Sequence, residues 1–138
     1  MKALSVQQPF ASEIASGCKW VEWRKRRTHH RGDLLICSSK VPRDQGPAGV
    51  ALAVVEVVDC RPDPDIEDHG WCLDRLRRVV RPFPISGRLG LYDVELPPGC
   101  RLARVQLRPP NWWEIAIDME GPGSSEGPEK GPEKMWTF

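Results

Sequence analysis

The chain has 138 residues, 40% of them hydrophobic and 28% charged, and this length fits one domain because a single core usually takes about 100–200 residues. Its 20 Lys and Arg residues almost balance its 19 Asp and Glu residues, which leaves a formal net charge of +1. That balance excludes a uniformly basic protein held to nucleic acid by bulk charge, so any electrostatic function must depend on local clusters.

The five cysteines indicate free thiols rather than a disulfide framework or a zinc site. They are odd in number, widely spaced and form no C-x-x-C pair, which is typical of a reducing compartment. We therefore expect no metal and no cofactor. The chain has no apolar run near the roughly 20 residues that span a bilayer and no signal-peptide pattern, so we expect a cytoplasmic protein, or a nuclear one in a eukaryote, without a membrane partner.

The first half of the chain predicts strands around one short helix. Residues 2–6 alternate as a strand, and Pro9 then opens a helix because proline is tolerated in the first turn. Gly17 supplies the left-handed stop just past its end. Further strands are predicted over residues 19–24, 33–39 and 46–60, the last as a central strand buried on both faces.

The second half contains one ambiguous segment and two strands. Leu73, Leu76 and Val80 have helical spacing, whereas the nearby prolines favour an extended chain, so residues 70–80 are left open. Strands over 90–96 and 100–107 flank a Pro-Pro-Gly turn. Several short strands with one or two short helices predict an α+β, mainly β fold, built as a small mixed or antiparallel barrel.

The C-terminal end differs in composition from the rest. Residues 121–134 read GPGSSEGPEKGPEK and cannot bury enough apolar surface to offset their ordering entropy, so we expect disorder there. The final MWTF, residues 135–138, is expected to be a free end, and the alternatives are that it docks back on the domain or is a short anchor for a partner. We therefore place a folded domain over 1–118 and a low-complexity tail over 119–138.

The most basic stretch is GCKWVEWRKRRTHHRG, residues 17–32, with six basic residues, one carboxylate and two tryptophans. One interpretation is a nuclear-localisation tag. A folded cationic wall is favoured instead, because the stretch lies between strand patterns rather than in a linker or tail.

Four pieces of the chain, in order over residues 2 to about 95, resemble the ASCH domain family. They are ALSVQQPFASEIASGCKWVEWR, with G-x-K-x-x-E-x-R inside it, then RTHHRGDLLICSSK, GVALAVVEVVDC and GWCLDRLRRVVRPFPISGRLGLYDV. The residues that carry the resemblance in the first two pieces are Gln8, Pro9, Gly17, Lys19, Glu22, Arg24, Thr28, Arg31, Gly32, Ser39 and Lys40. Two positions depart from the family pattern, since Arg26 stands where a tryptophan is frequent and Cys37 where a histidine is frequent.

The resemblance implies a PUA-like β-barrel with a cleft beside the first helix, and nucleic acid, mostly RNA, as the ligand. It also favours a strand over residues 70–75. We expect a monomer that binds RNA, with DNA as the other nucleic acid, and any protein partner is unknown.

Nucleic acid needs cations near its phosphates, planes on which bases stack, and polar groups for base edges. The candidate contacts are Gln8, Lys19, Arg24, Thr28, Arg31, Ser38, Ser39 and Lys40. Glu22 is expected to hold Lys19 or Arg24 in place, and the cations to keep it ionised. Of Trp20 and Trp23, at most one can stack on a base because strand alternation points them to opposite faces.

A hydrolase is the alternative to a binding module. Some relatives resemble amidohydrolases acting on acylated cytidine, with a lysine at the position of Lys19 and a threonine where this chain has Glu22, and another branch has been proposed to cut RNA. If the protein is an enzyme, Lys19 and Glu22 are its candidate catalytic residues. A third alternative is a protein ligand bound through MWTF.

Overall fold

The computed structural model describes residues 1–105. One helix and seven strands occur in this part of the chain: β1 (Lys2–Val6), α1 (Phe10–Ala15), β2 (Val21–Arg24), β3 (Gly32–Ser38), β4 (Val50–Asp63), β5 (Asp68–Pro84), β6 (Leu91–Asp93) and β7 (Leu102–Arg104). The predicted strand over 70–75 is confirmed within β5. The domain boundary at 118, the low-complexity tail and MWTF lie outside the described residues.

The strands form one sheet in the order β2-β5-β4-β3-β1-β6, with β7 added alongside β5. β1 and β3 are parallel and every other pairing is antiparallel. β4 and β5 form the longest ladder, and three register shifts within it bend the sheet. The strands on either side of the Pro-Pro-Gly turn do not pair with each other, because β6 pairs with β1 and β7 with β5.

The hydrophobic core lies on both faces of the central strands. On one face α1 packs through Ala11, Ile14 and Ala15, together with residues of the sheet such as Leu34 and Val55. A smaller cluster on the other face contains Ala3, Leu35, Cys37, Ala51, Val54, Val79 and Tyr92. β4 contributes to both clusters, as expected for a central strand whose residues from Val50 to Val58 are apolar except for Glu56.

The sheet is not closed into a barrel, so that prediction is wrong for residues 1–105. The path of paired strands ends at β2 on one side and at β6 on the other. β6 has only three residues and covers β1 only as far as Leu4, which leaves the next β1 residues without a strand neighbour on that side. There, Nη2 of Arg24 in β2 donates to the carbonyl oxygen of Ser5 at 2.6 Å. A side chain therefore crosses the gap where a barrel would have a backbone ladder.

Within the described residues, no helix is long and apolar enough to cross a membrane.

Candidate functional site

A cleft of about 740 Å³ opens at the gap between β2 and β1. Its lining comes from β1 and the turn after it, from α1 and β2, from the residues after β3, and from the loop between β5 and β6. The lining residues are Ser5, Val6, Gln7, Phe10, Glu22, Trp23, Arg24, Ser39, Lys40, Ser86, Gly87, Arg88, Leu89 and Gly90.

Glu22 is the buried charged group of this cleft, with 7% of its surface exposed. Its Oε2 lies 2.9 Å from Nε of Arg24, and its Oε1 lies 3.6 Å from Nζ of Lys19. The expected pairing of Glu22 with Lys19 or Arg24 is thus formed with both cations. Glu22 and Arg24 are two apart on β2, so strand alternation places them on one face.

Arg24 is fixed by two partners at once. Besides its ion pair with Glu22, it donates to the Ser5 carbonyl oxygen. Its side chain is still 30% exposed and Arg24 lines the cleft, so part of the side chain is accessible to a ligand. A planar cation held in this way loses little rotamer freedom when it binds an anion or stacks on a base.

Lys19 is positioned by the end of α1. Gly17 adopts a φ of 85°, and the amides of Cys18 and Lys19 then both donate to the Glu13 carbonyl oxygen, at 2.9 and 3.1 Å. This turn brings the Lys19 ammonium to 4.9 Å from the ring centroid of Phe10, a cation–π distance. Lys19 therefore lies beside the cleft, between Glu22 and an aromatic wall.

Trp23 supplies the tryptophan of the cleft wall. It lies opposite Gly70 of β5, where a Cβ atom would come within 3.0 Å of the Trp23 ring, so only glycine leaves room for the indole. Trp20 instead donates from its Nε1 to the Gly17 carbonyl oxygen at 3.0 Å. This division agrees with the expectation that at most one of the two tryptophans is free to stack.

The opposite wall is the loop Ser86–Gly90, which is not among the site residues predicted from the sequence. The Ile85 amide before it donates to the Gly49 carbonyl oxygen at 3.0 Å. At Gly87, an added Cβ would lie 2.9 Å from Oγ of Ser5, so glycine permits the close approach to β1. Leu89 is fully exposed. Arg88, a basic residue between two glycines in the sequence Gly-Arg-Leu-Gly, is the feature from which this wall could have been predicted.

Lys40 and Ser39 form the third side of the cleft. The Ser39 amide donates to the Val6 carbonyl oxygen at 2.9 Å, which extends the β1–β3 pairing and leaves the Ser39 side chain at the cleft. Lys40 is exposed and forms no ion pair with any residue in the described part of the chain. It is therefore available to an anionic ligand.

Burial raises the pKa of Glu22 above its ordinary value, while the charges of Arg24 and Lys19 lower it. The two cations act in the expected direction, but the cost of desolvating the carboxylate is larger. A carboxyl group of this kind can exchange a proton closer to neutral pH than an exposed glutamate does.

Gln8 and Ser38 are among the predicted contacts, but they do not line the cleft and instead hold the surrounding backbone. Gln8 is buried and donates from Nε2 to the Pro47 carbonyl oxygen at 2.7 Å, and its Oε1 accepts from the Ser12 amide at 2.9 Å. Ser38 is also buried, and its Oγ accepts from the Val50 amide at 3.1 Å. Gln8 thus links the loop between β3 and β4 to α1, and Ser38 joins the end of β3 to the start of β4.

Thr28 and Arg31 also lie apart from the cleft lining. Oγ1 of the buried Thr28 accepts from the His30 amide at 3.0 Å. Arg31 donates to the carbonyl oxygens of Thr28 and His30, and its Nη2 lies 3.9 Å from Oδ1 of Asp59. These contacts shape the turn before β3, and any contact of the two residues with nucleic acid stays a prediction.

The described part of the chain contains no cluster of side chains that could bind a metal ion. Among residues 1–105, no group of three or more His, Cys, Asp or Glu side chains lies close enough to hold an ion.

Comparison with known proteins identifies the family. No curated protein sequence matches the chain. The crystal structure of a point mutant of ZmASCH from Zymomonas mobilis is similar, with a TM-score of 0.53 at 13% sequence identity, and the match covers 68% of this chain and 89% of that one. This structural likeness shows a shared fold. The sequence model of the ASCH domain matches residues 4–95, about two thirds of the chain, and the protein therefore belongs to the ASCH domain family.

Proposed function

We propose that this protein is a nucleic-acid-binding module that takes single-stranded RNA into the cleft between β2, β1 and the 86–90 loop. The observation that carries the proposal is the convergence of three cations from separate segments, Arg24, Lys40 and Arg88, on one concave surface. Phosphate groups need such cations because binding releases their condensed counterions.

The aromatic residues of the cleft support a single strand over a duplex. Trp23 and Phe10 line the same concavity as the cations, and Phe10 is 47% exposed. Unpaired bases stack on aromatic side chains, whereas bases within a duplex are already stacked on each other. The cleft volume also lies within the roughly 300–1,000 Å³ typical of ligand sites.

Binding of fluorescein-labelled single-stranded RNA, measured by anisotropy over a range of salt concentrations, tests the proposal. For the variants Lys40→Ala and Arg88→Ala we expect weaker binding, with the slope of log K against log salt reduced by about 0.7 for each lost phosphate contact. Arg43→Ala is the matched control because Arg43 is exposed and does not line the cleft. A wild-type affinity that is independent of salt, or equal affinities for all four proteins, would contradict the proposal. DNA of the same sequence reports the contribution of the 2′-hydroxyl groups.

A hydrolase acting on RNA or on a modified nucleoside is the second candidate. The observation that favours it is the buried carboxyl of Glu22 at the cleft, whose pKa burial raises, since a general acid or base works best when its pKa is near the working pH. Lys19, 3.6 Å away, would stabilise negative charge formed in the reaction.

Incubation with RNA and acylated nucleosides, followed by mass spectrometry, separates the two candidates. A hydrolase releases shortened RNA or deacylated nucleoside, and both Glu22→Gln and Lys19→Ala abolish the product. A binding module yields no product at any protein concentration.

A further inference from the structure

A second cationic surface lies on β5 and β7, outside the cleft. It carries Arg78, Arg81 and Arg101, all of them exposed, whereas Arg104 lies opposite Arg77 and so on the other face of the sheet from Arg78. None of the three forms an ion pair with a residue in the described 1–105 range, whereas Lys2, Lys25, Arg75 and Arg77 each contact a carboxylate. Exposed arginines without carboxylate partners give this surface a local positive charge, which favours an anion.

The pairing of β5 with β7 brings two of these arginines together. Arg78 lies opposite Ala103, and the Val80 amide donates to the Arg101 carbonyl oxygen at 2.9 Å. Val79, between them, is buried in the core, so Arg78 and Val80 face outward. Arg78 and Arg101 are therefore diagonal neighbours across the two strands, at about 7–8 Å between backbones.

Arg81 and Arg101 also line one concavity of about 380 Å³. The remaining lining is mostly apolar and consists of Val80, Phe83, Pro97, Pro98, Gly99 and Cys100. Val80 is 50% exposed although it is apolar, and Phe83 is held from behind by the core cluster on that face. A mostly apolar concavity that also contains two arginines suits a ligand that has both a flat ring and a phosphate.

We propose that this β5–β7 concavity is a second nucleotide-binding site, where Arg81 and Arg101 contact phosphates and a base rests on Val80, Phe83 and Pro98. The inference rests on the proposed function, because it assigns this site to the same RNA strand that enters the cleft. β5 ends at Pro84, and the next residues form the cleft wall. Arg81 is seven residues from Arg88, a separation of at most about 25 Å. One oligonucleotide can therefore contact both sites.

An RNA length series tests the proposal in the full chain. We compare a trinucleotide with a dodecanucleotide of the same composition, using the wild type and the double variant Arg81→Ala/Arg101→Ala. The expected result is unchanged trinucleotide affinity and about ten-fold weaker dodecanucleotide binding, with the salt slope reduced by about 1.4 for two phosphate contacts. Thermal unfolding of the double variant should match the wild type because both side chains are exposed.

The control Arg26→Ala/Arg27→Ala removes the same charge from two exposed residues that line neither concavity. Equal losses from this control and from the Arg81/Arg101 variant would overturn the proposal, since net charge would explain both. Unchanged dodecanucleotide binding by the Arg81/Arg101 variant would also overturn it. Tighter binding of a twelve-residue polyglutamate peptide than of the dodecanucleotide would overturn it in favour of an acidic protein ligand.

Failure of the cleft proposal has a different signature. If Lys40→Ala and Arg88→Ala leave both RNA lengths bound normally while Arg81→Ala/Arg101→Ala weakens the longer one, the β5–β7 site stands and the cleft proposal is wrong.

Discussion

At Glu22, two opposing electrostatic effects act on one side chain of the cleft. Two cations contact it, and yet burial still raises its pKa. Replacing the carboxylate by an amide would relieve the desolvation cost and also remove the partner of two half-buried cations. The outcome for stability therefore depends on pH, because only the charged form carries the desolvation cost.

Stability should fall as pH rises from the ordinary glutamate pKa, about 4.3, to the raised pKa of Glu22. In this window the folded protein binds more protons than the unfolded chain. A rise in pH therefore lowers the free energy of unfolding. Above the raised pKa of Glu22, the loss of stability no longer changes with pH. Urea unfolding at closely spaced pH values checks this, and Glu22→Gln should remove that part of the slope. A slope that is the same in the variant and the wild type contradicts the assignment to Glu22.

The buried thiols give a second prediction at the scale of single residues. Desolvation by burial raises the pKa of both Cys37 and Cys72 to about 11, so at pH 8 only about one thiol in a thousand is ionised. Cys18 is exposed. We expect iodoacetamide to label Cys18 first in the native protein and to reach Cys37 and Cys72 only after unfolding, as read by peptide mass spectrometry.

Rapid labelling of native Cys37 would show that the strand β3 opens readily. The same burial bears on function, because Cys37 stands where the family often has a histidine. A buried thiol with a pKa of about 11 cannot replace a histidine as a base near neutral pH.

Among the elements, the pairing of β2 with β5 sets the cleft wall. Gly70 lies opposite Trp23, and an added Cβ would lie 2.9 Å from Cγ1 of Val21 and 3.0 Å from the Trp23 ring. Gly70→Ala should therefore destabilise the fold by about 1–3 kcal/mol, the usual cost of overpacking. RNA affinity should fall as well, because the displaced strand carries Trp23 and Arg24.

A double-mutant cycle isolates the contact at Gly70. Val21→Ala removes the nearest methyl group, so the Gly70→Ala/Val21→Ala variant should lose less stability than the two single variants combined. Strictly additive losses in urea unfolding would mean that Gly70→Ala acts through the backbone rather than through the Val21 contact.

Most of the strands could be predicted from the sequence patterns, but these patterns leave β5 (Asp68–Pro84) open between helix and strand, with only the family resemblance favouring a strand over 70–75. The pairing that encloses the site could not be predicted. β1 has the predicted bounds, and β2, β3 and β4 differ from prediction by a few residues because strand ends depend on partners. The pairing of Glu22 with Lys19 or Arg24 was also expected, because Glu22 is the one carboxylate within a basic stretch, and it is formed with both cations. By contrast, the 86–90 loop reaches the cleft through a hydrogen bond from Ile85 to Gly49, a contact between distant residues that local patterns do not encode.

The barrel prediction failed for a related reason. Strand count and spacing indicate a mainly β fold, but closure requires backbone pairing between the first and last strands of the path. Here β6 pairs with β1 only as far as Leu4, and the Arg24 side chain takes the place of a strand at Ser5. The open gap is what makes room for the cleft.

At the scale of the whole molecule, charge is divided unevenly along the chain. Residues 1–105 contain 17 Lys and Arg against 13 Asp and Glu, a net charge of +4, while residues 106–138 contain three against six, a net charge of −3. The total of +1 therefore understates the positive charge of the part that holds both proposed sites. The C-terminal segment should weaken the attraction of an RNA strand by its charge alone.

Neutralising the C-terminal acids tests this long-range effect. The variant replaces Glu114, Asp118, Glu120, Glu126, Glu129 and Glu133 by the corresponding amides. At about 0.01 M salt, where charges act over about 30 Å, we expect RNA affinity to rise about two- to five-fold. At about 1 M salt, where the range is about 3 Å, the gain should disappear. Lys130→Gln/Lys134→Gln should shift affinity slightly in the opposite direction. A gain that persists at high salt would instead mean that the acidic side chains contact the RNA-binding surface directly, since only short-range contacts survive screening.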